Sequence, residues 1–253
     1  ETIRGCPYKC AYCNSPTQMD FYKEKGTSSY FRKKNMSLVS QELKHFVKEY
    51  KMEYAYFWAD TFLAMNNREF DEFCEMYQDI RLPFWMQTRP ETLSDEKIRR
   101  LSDVGLHRIS FGVEHGNYEF RKKYLGRSFK NEDIVKKLQI PRKYGVQFSV
   151  NNITGFPHET RDLAMDTVEL NRHIESDNQS IYAFVPFHGT PLRKVTEELG
   201  YLKHSDITKC LTDRPMLDQP QYPATEVEGI QRCFVLYVKM PKSRWGEIRK
   251  AEK

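Results

Sequence analysis

Short apolar stretches alternate with amphipathic ones along most of this chain, with a repeat of roughly 25–35 residues. Apolar stretches rich in aromatic and β-branched residues predict strands, and stretches with apolar residues at helical spacing predict helices. Strands that alternate with helices assemble into a parallel sheet through right-handed crossovers. About six such units fall short of the eight in a closed barrel. The sequence therefore predicts an α/β fold, a partial (β/α)6 barrel.

The predicted elements follow from this pattern. Strands are expected at the stub "ETIRG" that opens the chain and at residues 53–60, 83–89, 106–113, 146–155 and 179–187. Helices are expected at residues 37–50, 67–80, 94–105, 131–145, 159–176 and 191–200. Ser94 is a suitable N-cap for the third helix, Gly105 would end it, and Pro141 would interrupt the fourth.

The alternation breaks at about residue 201. Residues 212–224 contain three prolines and predict a loop, and the remainder predicts one or two helices interrupted at Pro241. We therefore expect a barrel domain over residues 1–200 and a C-terminal helical and loop extension over residues 201–253.

The stretch "RGCPYKCAYCNSP" places Cys6, Cys10 and Cys13 within eight residues. Its polar, glycine- and proline-containing setting indicates a loop. A structural zinc site normally adds a second pair of ligands, and neither a second cysteine pair nor a histidine pair at zinc-finger spacing is present. Three ligands without a fourth favour an iron–sulfur cluster with one iron left open, as in a catalytic metal site.

The other three cysteines carry a simpler interpretation. Cys74, Cys210 and Cys233 lie far apart within helical patterns and are expected to be small buried side chains. Six cysteines in 253 residues are too few for a disulfide scaffold. Thiols kept for a metal centre indicate a reducing compartment, so a cytoplasmic location is expected.

A C-x3-C-x2-C loop after the first strand of a βα fold resembles the radical S-adenosylmethionine (SAM) superfamily. The resemblance implies that Cys6, Cys10 and Cys13 hold a [4Fe–4S] cluster and that SAM binds its fourth iron. It implies a radical-SAM-type partial barrel. It also implies an enzyme that cleaves SAM reductively to start radical chemistry, helped by an electron donor such as flavodoxin or ferredoxin.

Further motifs agree with this resemblance and imply cofactor-binding residues. "FWADTF" stands where the superfamily usually has a Gly-Gly-Glu-like motif and departs from it; Asp60 is the candidate acceptor for the SAM amine, or else a cap for the following helix. "SFGVEHGN" and "RKKYLGRSF" supply Glu114, for the SAM ribose or amine, and Arg127, for its carboxylate, unless Arg127 is an ordinary surface arginine. "ITGFPHET" supplies Gly155 and Pro157, where backbone would contact adenine.

The combination of these motifs with "PFHGTPL" is most similar to the branch that often carries an upstream cobalamin-binding domain. Its members imply methyl transfer to a small-molecule substrate, with cobalamin bound by a domain outside these residues. A tRNA-modifying enzyme of methylthiotransferase type and a non-catalytic metal-binding module remain alternatives. For the former, the C-terminal segment lacks a strongly basic or stacking surface.

Charge and hydropathy narrow the partners only a little. The net charge of +5 suits an anionic substrate or a nucleic acid without requiring either. No apolar stretch is long enough to span a membrane, and the polar start of the chain does not resemble a signal peptide. Glu1 in place of an initiator methionine indicates that further residues precede it in the full protein.

Two further groups of residues carry an open interpretation. Aromatic side chains on the predicted strands either line a substrate cavity or fill the core between strands and helices: Tyr54, Tyr56, Trp58, Trp85 and Phe148. His115 and His158 stand beside the motifs at predicted strand ends. Each either contacts substrate or cofactor or is an ordinary loop histidine.

Overall fold

The computed structural model describes residues 1–210 and 213–253. Its strands are β1 (Ile3–Arg4), β2 (Arg32–Lys33), β3 (Ala55–Phe57), β4 (Phe84–Thr88), β5 (Leu106–Glu114), β6 (Gln147–Thr154) and β7 (Asn178–Ala183). Its α-helices are α1 (Asn14–Glu24), α2 (Met36–Tyr50), α3 (Asn67–Gln78), α4 (Asp95–Asp103), α5 (Tyr118–Phe120), α6 (Asn131–Leu138), α7 (Ile140–Lys143), α8 (Arg161–Ile174), α9 (Pro191–Glu198), α10 (Ala224–Lys239) and α11 (Trp245–Ala251). A π-helical turn at Arg121–Leu125 follows α5.

Strands β3 to β7 form one five-stranded sheet in chain order. The pairs β3–β4 and β4–β5 are parallel, and Tyr56, Trp85 and Arg108 are register partners across the three strands. An irregularity between Phe84 and Trp85 shifts the register against β5 by one residue. The predicted α/β class with a parallel sheet is confirmed.

The opening strand is present but pairs differently from the prediction. Ile3 and Arg4 pair antiparallel with Lys33 and Arg32 in a separate two-stranded sheet, so the described parallel sheet has five strands where six were expected. Gly5 follows directly with a positive φ of 81°, and a side chain there would meet the backbone of Tyr30 and Phe31 at 3.0 Å. The chain therefore turns away after only two residues of strand.

Local signals set the helix ends. Ser94 accepts a hydrogen bond from the Lys97 N–H and caps α4, as predicted. Pro141 occupies the first turn of α7 and divides the predicted helix 131–145 into α6 and α7, as expected from its missing N–H. Asn66 caps α3 with a reciprocal bond from Glu69, so Asp60 does not cap the helix that follows it.

The described residues divide into two compact units, and the first comprises Glu1–Tyr8, Gln18–Gly112 and Ile134–Ser149. Its core is an aromatic cluster formed by β3, β4, α3 and the turn after β3. Neighbouring ring centroids lie 4.9–6.4 Å apart, mostly edge to face. The five rings belong to Phe57, Phe62, Phe73, Tyr77 and Phe84.

The second unit comprises Lys9–Thr17, Val113–Asp133 and Val150–Lys253. Helix α10 packs against α8 and β7. A break at Pro241 separates α10 from α11, as predicted. The segment predicted as an extension thus lies in this unit, and a domain boundary at residue 200 stays a prediction. Thr212, the first residue of the predicted loop 212–224, lies outside the described residues.

The end of the chain is fixed by a buried carboxylate. Glu252 accepts hydrogen bonds from Arg161 Nη2 at 2.7 Å and from the Tyr237 hydroxyl at 2.5 Å, and it pairs with Arg249. Burial by itself would raise the pKa of Glu252, but these donors outweigh it and hold the pKa below its ordinary value. The ionised form is therefore the one that stabilises the fold.

We expect Glu252→Gln to lower the free energy of unfolding by about 1–2 kcal/mol at neutral pH, because the charge-assisted bonds are lost. A carboxyl whose pKa is lowered by folding contributes stability above its unfolded pKa, and that contribution disappears as the pH falls through the folded value. Urea unfolding from pH 7 to pH 3 should show the gap between wild type and variant closing below roughly pH 4. Glu247→Gln, at an exposed pair with Arg244, is the matched control and should leave the curve unchanged.

Two further sequence predictions have a clear outcome. Cys74 and Cys233 are buried as expected, but the prediction for Cys210 was wrong, because this side chain is exposed in a loop where its N–H donates to Asp213. Among the described helices none is long and apolar enough to cross a membrane.

Candidate functional site

The cysteine loop leads directly into a helix. The N–H of Cys13 donates to the carbonyl of Cys10 at 3.2 Å, and α1 begins at the next residue. The Cys13 sulfur accepts the N–H of Ser15 at 3.4 Å, in the first turn of α1. A helix N-terminus stabilises negative charge, so this position favours a thiolate.

The first cysteine of the loop belongs to the first unit. Cys6 is buried, and its sulfur lies 3.3 Å from the hydroxyl of Thr61. That hydroxyl is 2.8 Å from the carbonyl of Asp60. Cys6 is therefore packed beside the turn after β3, where the carboxylate of Asp60 is exposed.

The donor set fits a cluster better than a single ion. Within residues 1–210 and 213–253, no three His, Cys, Asp or Glu side chains converge closely enough to hold one metal ion. The mononuclear alternative therefore has no ligand set there. The thiolates of a [4Fe–4S] cluster bind separate irons and need not converge on one point. Three cysteines in one loop, the last at a helix N-terminus, suit that arrangement.

Arg89 braces the cysteine loop within the first unit, and the sequence gave no indication of it. It follows β4 and is buried, with its guanidinium 3.8 Å from the ring centroid of Tyr8. Glu91 accepts from the same guanidinium at 2.5 Å. A planar cation stacked on an aromatic ring and held by a carboxylate fixes the position of Tyr8, midway between Cys6 and Cys10.

Glu114 and Arg127 meet in the second unit, as the motifs implied. Arg127 Nη1 donates to Glu114 at 3.1 Å and to the Tyr12 hydroxyl at 3.2 Å. Both charged side chains are almost fully buried. Burial, together with the negative charge of Glu114, raises the pKa of Tyr12. Arg127 is thus not a surface arginine, and Tyr12 brings the cysteine loop into the same polar group.

Glu114 also has a strained backbone. It ends β5 with a φ of 75°, which a side chain other than glycine rarely adopts. Such strain persists only where the surroundings enforce it, and it is concentrated at functional positions. The strain turns the chain sharply at the strand end that the motif marks.

A second buried carboxylate organises the turn after β6. Glu159 accepts the N–H groups of Gly155 at 2.5 Å and Phe156 at 2.9 Å. It also lies 3.1 Å from Nε2 of His115, whose Nδ1 accepts the Asn117 N–H. Because Nδ1 is an acceptor, Nε2 carries the proton and donates it to Glu159.

This network settles several predictions about the turn. His115 is fully buried and structural, whereas His158 is exposed and stacks on Tyr124. Gly155 has a φ of 82°, and Pro157 is buried in the same turn. The backbone that was predicted to contact adenine is therefore held in a fixed shape from behind.

Comparison with known proteins decides the family. A profile described as the Radical SAM superfamily matches residues 1–170. The chain belongs to the radical SAM superfamily. The family predicted from the motifs is confirmed, and with it the expectation of a radical SAM enzyme.

Among similar proteins, an uncharacterized methyltransferase of Pyrococcus horikoshii is 21% identical over 95% of this chain and 51% of its own length. A tRNA-2-methylthio-N(6)-dimethylallyladenosine synthase of Halalkalibacterium halodurans is 30% identical over 48% of this chain and 23% of its own. The chain spans about half the length of the methyltransferase and less of the synthase.

Among solved structures, the radical SAM methyltransferase TsrM of Kitasatospora setae has a TM-score of 0.64 at 17% identity. The match covers 89% of this chain and 45% of TsrM. That structure contains cobalamin and a [4Fe–4S] cluster. The similarity shows the fold, and it lies with the branch that the motifs indicated.

Proposed function

We propose that this chain holds a [4Fe–4S] cluster on Cys6, Cys10 and Cys13 and cleaves SAM reductively to begin radical chemistry on a substrate. The proposal rests chiefly on one observation: the family match spans a cysteine loop whose last sulfur accepts an N–H at the start of α1. When bound, such a cluster supplies the electron that splits SAM into methionine and a 5′-deoxyadenosyl radical.

The chain's own residues would bind and orient SAM. Asp60, exposed at the end of β3, would accept the amine of the methionine part. Arg127 would attract its carboxylate, and Glu114 would accept from the amine or ribose. The turn at Gly155–Pro157, held by Glu159, would lie against adenine.

Electron paramagnetic resonance of anaerobically reconstituted, dithionite-reduced protein tests this proposal. We expect a [4Fe–4S]⁺ signal whose shape changes when SAM is added, because SAM occupies the open iron. A cluster signal indifferent to SAM, or bound zinc in place of iron, would refute it.

The assignment of Asp60 gives a separate prediction. Asp60→Asn removes one negative charge from an exposed position and should leave the fold intact. We expect the Kd of SAM to rise about tenfold, since a charge-assisted bond to the amine becomes a neutral one. Equilibrium dialysis with labelled SAM measures this. Asp79→Asn, at an exposed aspartate after α3, is the control, and equal affinities in the two variants would exclude Asp60 from the site.

Methyl transfer with the help of cobalamin is the finer form of the proposal. It is supported by the likeness to the Pyrococcus methyltransferase and to TsrM. Cobalamin would be held outside these residues, and no residue of this chain is assigned to it. Reduced flavodoxin or ferredoxin would supply the electron.

A tRNA-modifying function is the second candidate, favoured by the similarity to the methylthio-adenosine synthase. Binding of bulk tRNA measured at 50 mM and 200 mM salt separates the candidates, because phosphate contacts make affinity strongly salt-dependent. Micromolar, salt-sensitive binding would favour the tRNA substrate. Absence of binding at the lower salt would leave the small-molecule proposal standing.

A further inference from the structure

One face of the sheet in the first unit carries exposed aromatic side chains. Along β3 the residues alternate: Ala55 and Phe57 are buried in the aromatic core, whereas Tyr56 and Trp58 point to the other side and are 43% and 63% exposed. Trp85, the register partner of Tyr56, packs on it with ring centroids 4.7 Å apart. An exposed group of three large rings is unusual on a protein surface unless a ligand or partner covers it.

Polar neighbours hold these rings in place. Trp85 Nε1 donates to the hydroxyl of Ser110 at 2.9 Å, and Ser110 lies 2.9 Å from the hydroxyl of Ser149. The Tyr56 hydroxyl donates to the Gln87 carbonyl oxygen at 3.3 Å. Because both rings are tethered at their polar ends, they form a platform that is ready before any ligand arrives.

Arg108 stands on the same face as an arginine without an acidic partner. Its guanidinium lies 5.6 Å from the centroid of Trp85, and its Nε is buried with no hydrogen-bond acceptor among the described residues. By contrast, Arg89 and Arg100 of the same unit are paired with Glu91 and Asp71. A partly buried cation left without an acceptor is costly unless an anion binds it.

The platform is also placed within reach of the proposed chemistry. Tyr56, Trp85 and Arg108 are register partners, so they form a row across three strands. Asp60 follows Tyr56 by four residues, which corresponds to roughly 13 Å along an extended chain. A ligand on the row could therefore extend toward the strand end where Asp60 is proposed to hold SAM.

We propose that this face binds the substrate and that the substrate carries a planar aromatic group with an acidic substituent. The ring would stack on Tyr56, Trp58 and Trp85, and the acid would accept from Arg108. This inference deepens the proposed function and rests on it, since it names the substrate class of the same site.

Isothermal titration with 2-naphthoate and with 2-naphthamide, a neutral analogue of the same shape, tests the proposal. Both are titrated into cluster-reconstituted protein without SAM, so the readout does not depend on turnover. We expect naphthoate to bind at least about fivefold more tightly than naphthamide. Arg108→Met should abolish this preference, whereas Arg108→Lys should keep most of it.

Two further variants complete the test. Arg142→Met removes another arginine near an aromatic ring, that of Phe148, but on α7, and should leave the preference unchanged. Trp58→Ala, at an exposed position, should weaken both ligands to a similar degree. No binding of naphthoate, equal binding of both ligands, or a preference that survives Arg108→Met would overturn the proposal. The cluster signal and its response to SAM are measured separately, so failure of the proposed function is distinguishable.

Discussion

Replacing Cys6, Cys10 and Cys13 together by alanine is expected to reduce bound iron from about four atoms per chain to almost none and to abolish SAM cleavage. The loss is complete because the cluster has no other protein ligands in the proposal. The fold should survive, since the substitutions remove only small side chains and one helix-end contact, that of the Cys13 sulfur with Ser15. We expect a stability loss near 1 kcal/mol from that contact. Iron analysis, visible absorption and circular dichroism measure these quantities.

Cys210→Ala is the matched control, because this cysteine is exposed in a loop of the second unit. It should retain the full iron content and the response to SAM. A triple variant that still binds a full complement of iron would show that the loop is not the cluster site. Single variants should each lose most of the iron, since two thiolates cannot hold the cluster stably.

Hydrophobic period carried most of the fold prediction, and elements without a period escaped it. Helix α1 buries only Ser15 among its eleven residues, so it has no apolar stripe to detect. Strands β1 and β2 have two residues each, too few to show alternation. The antiparallel pairing of β1 follows from the close approach of Gly5 to Tyr30 and Phe31, which only the folded chain brings together.

The candidate site shows the same division between local and distant information. The cysteine spacing and the position of Glu114 at a strand end are local, so the sequence revealed them. The contact of Arg127 with Tyr12 joins residues 115 positions apart, and that of Arg89 with Tyr8 joins two different motifs. Glu159 was predicted only to begin a helix, because nothing local shows that its carboxylate turns inward to His115.

Glu159→Ala is expected to cause the largest loss of stability of any single change in the second unit. The carboxylate is fully buried and accepts from His115 Nε2 and from the N–H groups of Gly155 and Phe156. Removing it leaves three buried donors without an acceptor, which should cost about 3–5 kcal/mol. Urea unfolding measures the cost, and hydrogen exchange at Gly155 and Phe156 should accelerate.

The conservative variant separates charge from geometry. Glu159→Gln keeps one acceptor oxygen but places an amide NH2 against the N–H groups or against His115 Nε2. The imidazole cannot adapt by changing tautomer, because its Nδ1 already accepts the Asn117 N–H. We therefore expect Glu159→Gln to recover only part of the loss. Glu169→Gln, which removes a surface pair with Lys242, should change stability by less than about 1 kcal/mol. If Glu159→Ala behaved like this surface variant, the turn at Gly155 would be held by something other than the buried carboxylate.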